Sequence, residues 1–117
     1  MTRIEMIYDN NLIIGFRMEG HAEFNVKGPD IVCASLSAVS QLTINGVIDW
    51  IGLDAHELIN EIDEAKGILD FEIPPAFYYT VTVQQLLKSF EMYVEQLAEL
   101  YKDNVKLERR QKDDNRN

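Results

Sequence analysis

Arg3-Ile4-Glu5-Met6-Ile7-Tyr8, Asp9-Asn10-Asn11, then Leu12-Ile13-Ile14-Gly15-Phe16-Arg17-Met18-Glu19-Gly20 is the stretch that decides the fold. Ile4, Met6 and Tyr8 fall on alternate positions, as do Leu12, Ile14, Phe16 and Met18. Alternation with period two puts these side chains on one face of an extended strand. Asp9-Asn10-Asn11 is a turn cluster, so the two runs read as a β-hairpin that Gly20 ends. Residues 21–29 read as a loop bounded by Gly20 and Gly28-Pro29.

The period then changes. Val32, Leu36, Val39, Thr43, Val47 and Trp50 recur at helical steps, which predicts a long helix ending near Gly52. Its start has two readings: Asp30 as N-cap, or Pro29 at the first helical position. Gly46 inside it costs about 1 kcal/mol relative to alanine. Residues 56–63 fit either a helical stripe or a strand, and Glu64-Ala65-Lys66-Gly67 reads as a turn. Ile68, Asp70 and Glu72 alternate against Leu69, Phe71 and Ile73 as a strand that Pro74-Pro75 ends.

A second helix carries an apolar face of Val83, Leu86, Leu87, Phe90, Tyr93, Val94, Leu97, Leu100 and Tyr101, with Thr82 and Gln85 resembling a capping box. Val105-Lys106-Leu107 suggests a short last strand. The expected fold is α+β and two-layered. Two helices cover one face of a largely antiparallel sheet, in the order β-β-α-β-β-α with a short final strand. A single domain is expected over 1–108, followed by a charged, frayed tail over 109–117.

The chain has 117 residues, 46% of them hydrophobic and 26% charged, a globular composition. The net charge of −9 disfavours nucleic acid, which needs a basic face, and leaves room for a basic partner. A single cysteine excludes an internal disulfide and fits a reducing compartment. Arg3, Glu5, Asp9, Arg17 and Glu19 interrupt any secretory signal, and no run of about 20 apolar residues suggests a membrane span. A cytoplasmic protein with no membrane partner is expected.

That cysteine, Cys33, falls near the start of the first helix, and His21 lies twelve residues upstream at the end of the hairpin. A thiol is nucleophilic as the thiolate, which a helix N-terminus or a nearby imidazolium favours. Ser37 is one turn on, on the same face, and Ser40, Gln41 and Ile44 continue that side. Ser37 either supports the thiol or bonds a backbone carbonyl, as helical serines commonly do. A buried, inert cysteine is the bland alternative. His56 has no neighbours that suggest a site.

Rival chemistries fail on residue types. No arginine follows Cys33 closely enough to hold phosphate, no second thiol makes a redox pair, and two histidines with one cysteine at these spacings match no zinc pattern. No glycine loop cradles phosphate. Thiol acyl transfer through Cys33 and His21 remains, with backbone amides at the helix start, that of Cys33 included, as oxyanion donors.

Gly20-His21-Ala22, a short loop, Gly28, then Asp30-Ile31-Val32-Cys33-Ala34 and Ser37 resemble the ribosomal-processing cysteine protease family. The resemblance implies a homodimeric peptidase without cofactor or metal. Such an enzyme removes the N-terminal extension of a large-subunit ribosomal protein, cutting beside an aromatic residue and before a small one. It implies Cys33 as nucleophile and His21 as general base. The loop from Ala22 to Pro29, with Gly20 and Gly28, would wall the peptide site, and Asp30 and Ser37 would support it. It also implies a strand at 56–63. The rival class is a non-catalytic dimeric binding module in ribosome assembly with Cys33 inert.

Overall fold

In the structure, a computed structural model, the opening hairpin forms as the alternation requires. Residues 1–20 and 29–115 are described, with the backbone alone at 29–30 and 114–115. Strands β1 (Thr2–Asp9) and β2 (Leu12–Glu19) pair antiparallel around Asn10, which takes the left-handed φ of 56°. A bulge shifts the register between Ile7 and Tyr8, so Ile7 faces Gly15 while Tyr8 faces Ile13. Helix α1 spans Pro29–Ile51, and Gly52 ends it with a φ of 81°.

One helical turn, α2 (Ala55–Leu58), precedes β3 (Ile59–Asp63), so residues 56–63 are neither all strand nor all helix. Asp54 N–H donates to Glu57 Oε1 at 3.3 Å, which holds that turn and places His56 on the surface. Strand β4 (Ile68–Glu72), helix α3 (Val81–Leu100) and strand β5 (Val105–Gln111) complete the fold. The sheet order is β3-β4-β2-β1-β5, antiparallel except for the β1–β5 pair. This is the expected two-layer α+β arrangement. Phe16 of β2 joins the layers, its ring centroid 5.4 Å from that of Phe71 in β4 and 4.3 Å from that of Phe90 in α3.

Several local expectations are corrected. Helix α3 starts at Val81 behind Thr80, so Thr82 and Gln85 lie inside it and form no cap. A 3₁₀ turn at Pro75–Phe77 delivers the chain to Thr80, whose N–H bonds Phe77 O at 3.1 Å. The neighbouring Gln84 has the bonding role instead. Its amide accepts from Ile13 N at 3.0 Å and donates to Ile13 O at 2.8 Å and Tyr78 O at 2.9 Å, taking over the edge of β2 where the prolines leave the sheet.

Trp50 and Leu100, placed on the buried stripes, are exposed; at these helix ends their neighbours Ile51 and Tyr101 pack against the core instead. Gly46 brings the two helices close: a Cβ there would sit 3.2 Å from the Leu86 side chain of α3. Over Ile31–Ile51, α1 is long and apolar enough to cross a membrane by composition alone, against the sequence reading. Its inner face, with Val32, Leu36, Ile44 and Val47, is core of this domain.

The charged run at 109–111 does not fray. It extends β5 beside β1, with Arg109 opposite Met6 and Gln111 opposite Tyr8. Its side chains find partners: Arg110 Nε reaches Glu5 Oε1 at 2.8 Å, and Gln111 bonds both backbone groups of Asn10. Arg109 Nε meets Glu91 Oε2 at 3.1 Å. Glu91 is buried on α3 and also accepts from Tyr8 Oη and lies 3.4 Å from Lys88 Nζ. A buried carboxylate is tolerated because it is paired and hydrogen-bonded.

Tyr8 records this cluster. Burial first, then the hydrogen bond to Glu91 and its charge, push the phenol from 10.0 up to about 12, against the opposing pull of Arg109. The folded chain therefore keeps a proton that the unfolded chain releases. Stability present below pH 10 falls as pH rises from 10 toward 12. Tyr8→Phe is expected to flatten that alkaline decline in urea-unfolding free energy. Parallel wild-type and variant curves over this window would contradict it.

Candidate functional site

The site is built on the first turns of α1. With the helix starting at Pro29, the second of the two sequence readings holds, and Asp30 is the second helical residue rather than its N-cap. Cys33 is then the fifth. In an α-helix the fifth N–H bonds the carbonyl of the first residue, so the Cys33 amide belongs to the helix ladder. The amides that an α-helix leaves without a partner inside the helix are those of its first turn, ahead of Cys33. Cα–Cβ bonds tilt toward the helix N-terminus, which carries the Cys33 side chain back over that first turn. Its favourable potential is strongest there.

Cys33 is half-buried and lines a cavity of about 470 Å³. Leu36, Ser37, Ser40, Gln41 and Ile44 continue the wall along α1. The polar strip below the cysteine is thus a cavity wall, which accounts for serines on that side. Ser40 Oγ donates to Ser37 O at 3.1 Å, so Ser40 makes the backbone bond that helical serines favour. Ser37 itself is exposed at the opening.

The opposite wall comes from the β3–β4 hairpin, with Ile59, Ile62, Ile68 and Leu69. Asp63 and Glu64 at the hairpin's turn make that side acidic. Thr2, Met18 and Gly20, from the adjoining ends of β1 and β2, close the remaining side. Gly20 has a φ of 100°, and a Cβ on it would lie 2.5 Å from the Met1 carbonyl oxygen. Only glycine fits there, directly before His21.

Cys33, Ser37 and Gly20 are therefore brought to one cavity. His21, Ala22, Gly28 and the rest of the expected peptide wall lie outside the described residues, as does the Asp30 side chain. Sequence reasoning missed Thr2, Met18 and the hairpin isoleucines. For Thr2 a signal existed: it continues the alternation of Ile4 and Met6 onto the inner face. For the isoleucines none did, because their wall forms only when β3 folds against β4.

The model of the family described as cysteine protease Prp matches residues 1–106. The ribosomal processing cysteine protease Prp of Bacillus subtilis (strain 168) is 33% identical over 97 residues, spanning 81% of this chain and 84% of its own. Among solved structures, the ribosomal processing protease Prp from S. aureus in complex with a substrate peptide has the same fold. The TM-score is 0.73 at 23% identity, over 94% of this chain and 100% of that one. The same protease with a covalently linked product peptide gives 0.71 at 25% identity, with 94% and 100% covered. Matched over most of its length by sequence, and with the fold of these structures, the chain belongs to the family of cysteine protease Prp and is a cysteine peptidase.

Proposed function

We propose that this peptidase removes the N-terminal extension of a large-subunit ribosomal protein in the bacterial cytoplasm, with Cys33 as nucleophile and His21 as general base. The observation that carries the reading is Cys33, the chain's one thiol, on the wall of an apolar cavity that Gly20, the residue before His21, also lines. The substrate enters extended, and the isoleucine and leucine wall takes an apolar side chain beside the scissile bond. His21 takes the Cys33 proton. The thiolate then adds to the scissile carbonyl, and the first-turn amides stabilise the oxyanion.

The C–N bond breaks as His21 returns its proton to the leaving amine, which leaves a thioester on Cys33. Water, deprotonated by His21, attacks that thioester; the C–S bond breaks and frees the acid and the thiol. The covalently linked product peptide in the S. aureus protease supports such a step. The ribosomal-processing name of the Bacillus subtilis relative supports the substrate class. The acidic Asp63–Glu64 side and the net charge of −9 suit a basic protein. Incubation with a peptide spanning the extension and the first mature residues tests the reading, beside Cys33→Ala and His21→Ala. Cleavage is expected from the wild type alone.

The homodimer is part of the same proposal, and α1 supports it. Ile31, Ala34, Ala38 and Leu42 recur at helical spacing on its outer face and are exposed, Leu42 by 72%. The two alanines let a second helix approach closely. Leu42→Glu is expected to convert a dimer to a monomer in sedimentation velocity. An unchanged sedimentation coefficient would place the contact elsewhere.

A further inference from the structure

We infer that a second copy of this chain, docked antiparallel along α1, completes the Cys33 site, so that the peptidase cleaves only as a dimer. The inference rests on the peptidase reading above and takes its dimer face further. What carries it is the outer side of α1. From Ile31 to Ile48 the helix has no Asp, Glu, Lys, Arg or His, although 26% of the chain is charged. Ile31, Ala34, Ser37, Ala38, Gln41 and Leu42 in this stretch are exposed. The exposed side of α3 shows the usual alternative, with Lys88, Glu95 and Glu99 in water. An uncharged, partly apolar face of about five turns is a surface for a partner.

Charge and shape select that partner. A protein that binds through salt bridges finds no charge to pair with between Ile31 and Ile48. A lipid surface favours basic flanks, yet no Lys or Arg occurs from Ile31 to Ala65, and Asp49 and Asp54 stand near the helix end. The inner face, with Val32, Leu36, Ile44 and Val47, is already core, so lipid cannot surround the helix. The same helix in a second copy fits. Ala34 and Leu42 lie four residues either side of Ala38, and Ile31 and Asn45 lie seven either side. A twofold axis at Ala38 therefore sets Leu42 of each copy over the partner subunit's Ala34, large on small. Two chains of net charge −9 meet there without a like-charged contact.

This face borders the cavity. Ser37 and Gln41 line the cavity and are exposed, and each lies three residues after an alanine of the docking face, its neighbour on the helix surface. A helix seated on Ala34 and Ala38 runs along that rim. In the antiparallel arrangement the partner subunit's Gln41 comes level with Ser35, between Cys33 and Ser37, and brings a carboxamide to the mouth. A peptide bound there is held from two sides, with water excluded and a polar partner for its main chain.

Ala38 faces its own copy across the axis, which permits a test by charge. It is exposed, so substitution there spares the core. Ala38→Arg should sediment as a monomer with a Tm near wild type. Its kcat/KM for the ribosomal-protein peptide should fall about 10²-fold, the loss that a misplaced substrate causes. An inactive copy carrying Ala38→Glu and Cys33→Ala is then added. Opposite charges now meet at the axis, a mixed dimer should form, and cleavage per intact Cys33 should return most of the way to wild type. Full activity in monomeric Ala38→Arg would overturn the inference, as would an Ala38→Arg protein that stays dimeric, no mixed dimer, or a mixed dimer without recovered cleavage. Wild-type protein that is monomeric in solution and floats with vesicles of phosphatidylglycerol and phosphatidylethanolamine would assign the face to lipid and overturn it too. Each of these results leaves the peptidase reading intact. No cleavage by the wild type would overturn that reading instead, and this inference with it.

Discussion

Cys33→Ala is expected to lower kcat by about 10⁴-fold or more, down to background peptide hydrolysis. The size follows from the chemistry. Without sulfur no thioester forms, and one divided reaction reverts to direct attack by water on an amide. Residual help then comes only from substrate binding and the first-turn amides. The substitution is mild for the fold, because Cys33 is half-buried on a cavity wall rather than packed in the core.

Tm and peptide affinity should therefore stay near wild type while product formation, followed by mass spectrometry of the cut peptide, disappears. Cys33→Ser should be nearly as inactive, since an alkoxide is far harder to form than a thiolate. His21→Ala is expected to lose activity as well, by about 10²–10⁴-fold, because a general base contributes less than the nucleophile it serves. Cleavage by Cys33→Ala at the wild-type rate would end the peptidase mechanism and favour the binding-module reading.

Gly15→Ala should produce the largest loss of stability, about 3–5 kcal/mol. A Cβ at this position would sit 2.1 Å from the Phe71 carbonyl oxygen and 2.9 Å from Glu72 Cα. Both are backbone atoms of β4, so no side chain can swing aside. Relief requires β2 and β4 to separate where Gly15 pairs with Glu72 and Phe16 with Phe71. That opens the sheet under the Phe16–Phe71–Phe90 cluster. Against a typical stability of about 5–15 kcal/mol the loss is large enough to unfold a sizeable fraction of molecules. Urea unfolding should show a lower midpoint at similar slope. A midpoint within experimental error of wild type would show that the strands adjust freely there.

Part of the candidate site was legible because the residue types that suggest its chemistry lie close together in the chain. One thiol, a histidine after a strand-ending glycine and a serine one helical turn beyond can be read from spacing alone. The helix start was less so: Asp30 as cap and Pro29 as first residue place it two residues apart, and that difference decides whether the Cys33 amide is free or paired. Residues 56–63 mixed two patterns because they contain both, a helical turn and then a strand. The tail at 109–111 looked solvated since its residues are charged. Pairing with β1, Glu5 and Glu91 comes from segments about a hundred and about twenty residues away.

The sequence by itself determined the opening hairpin, the two long helices, the strand at 68–72 and the thiol chemistry open to the chain. Each depends on periodicity or residue type within a short window. Only the tertiary structure decided the sheet order, the parallel placement of β5, the glycine at 15 and the cavity that joins Cys33 to Thr2 and the β3–β4 hairpin. These are relations between residues distant in the chain. No local pattern specifies them, because their energy is realised only when the strands and helices pack against one another.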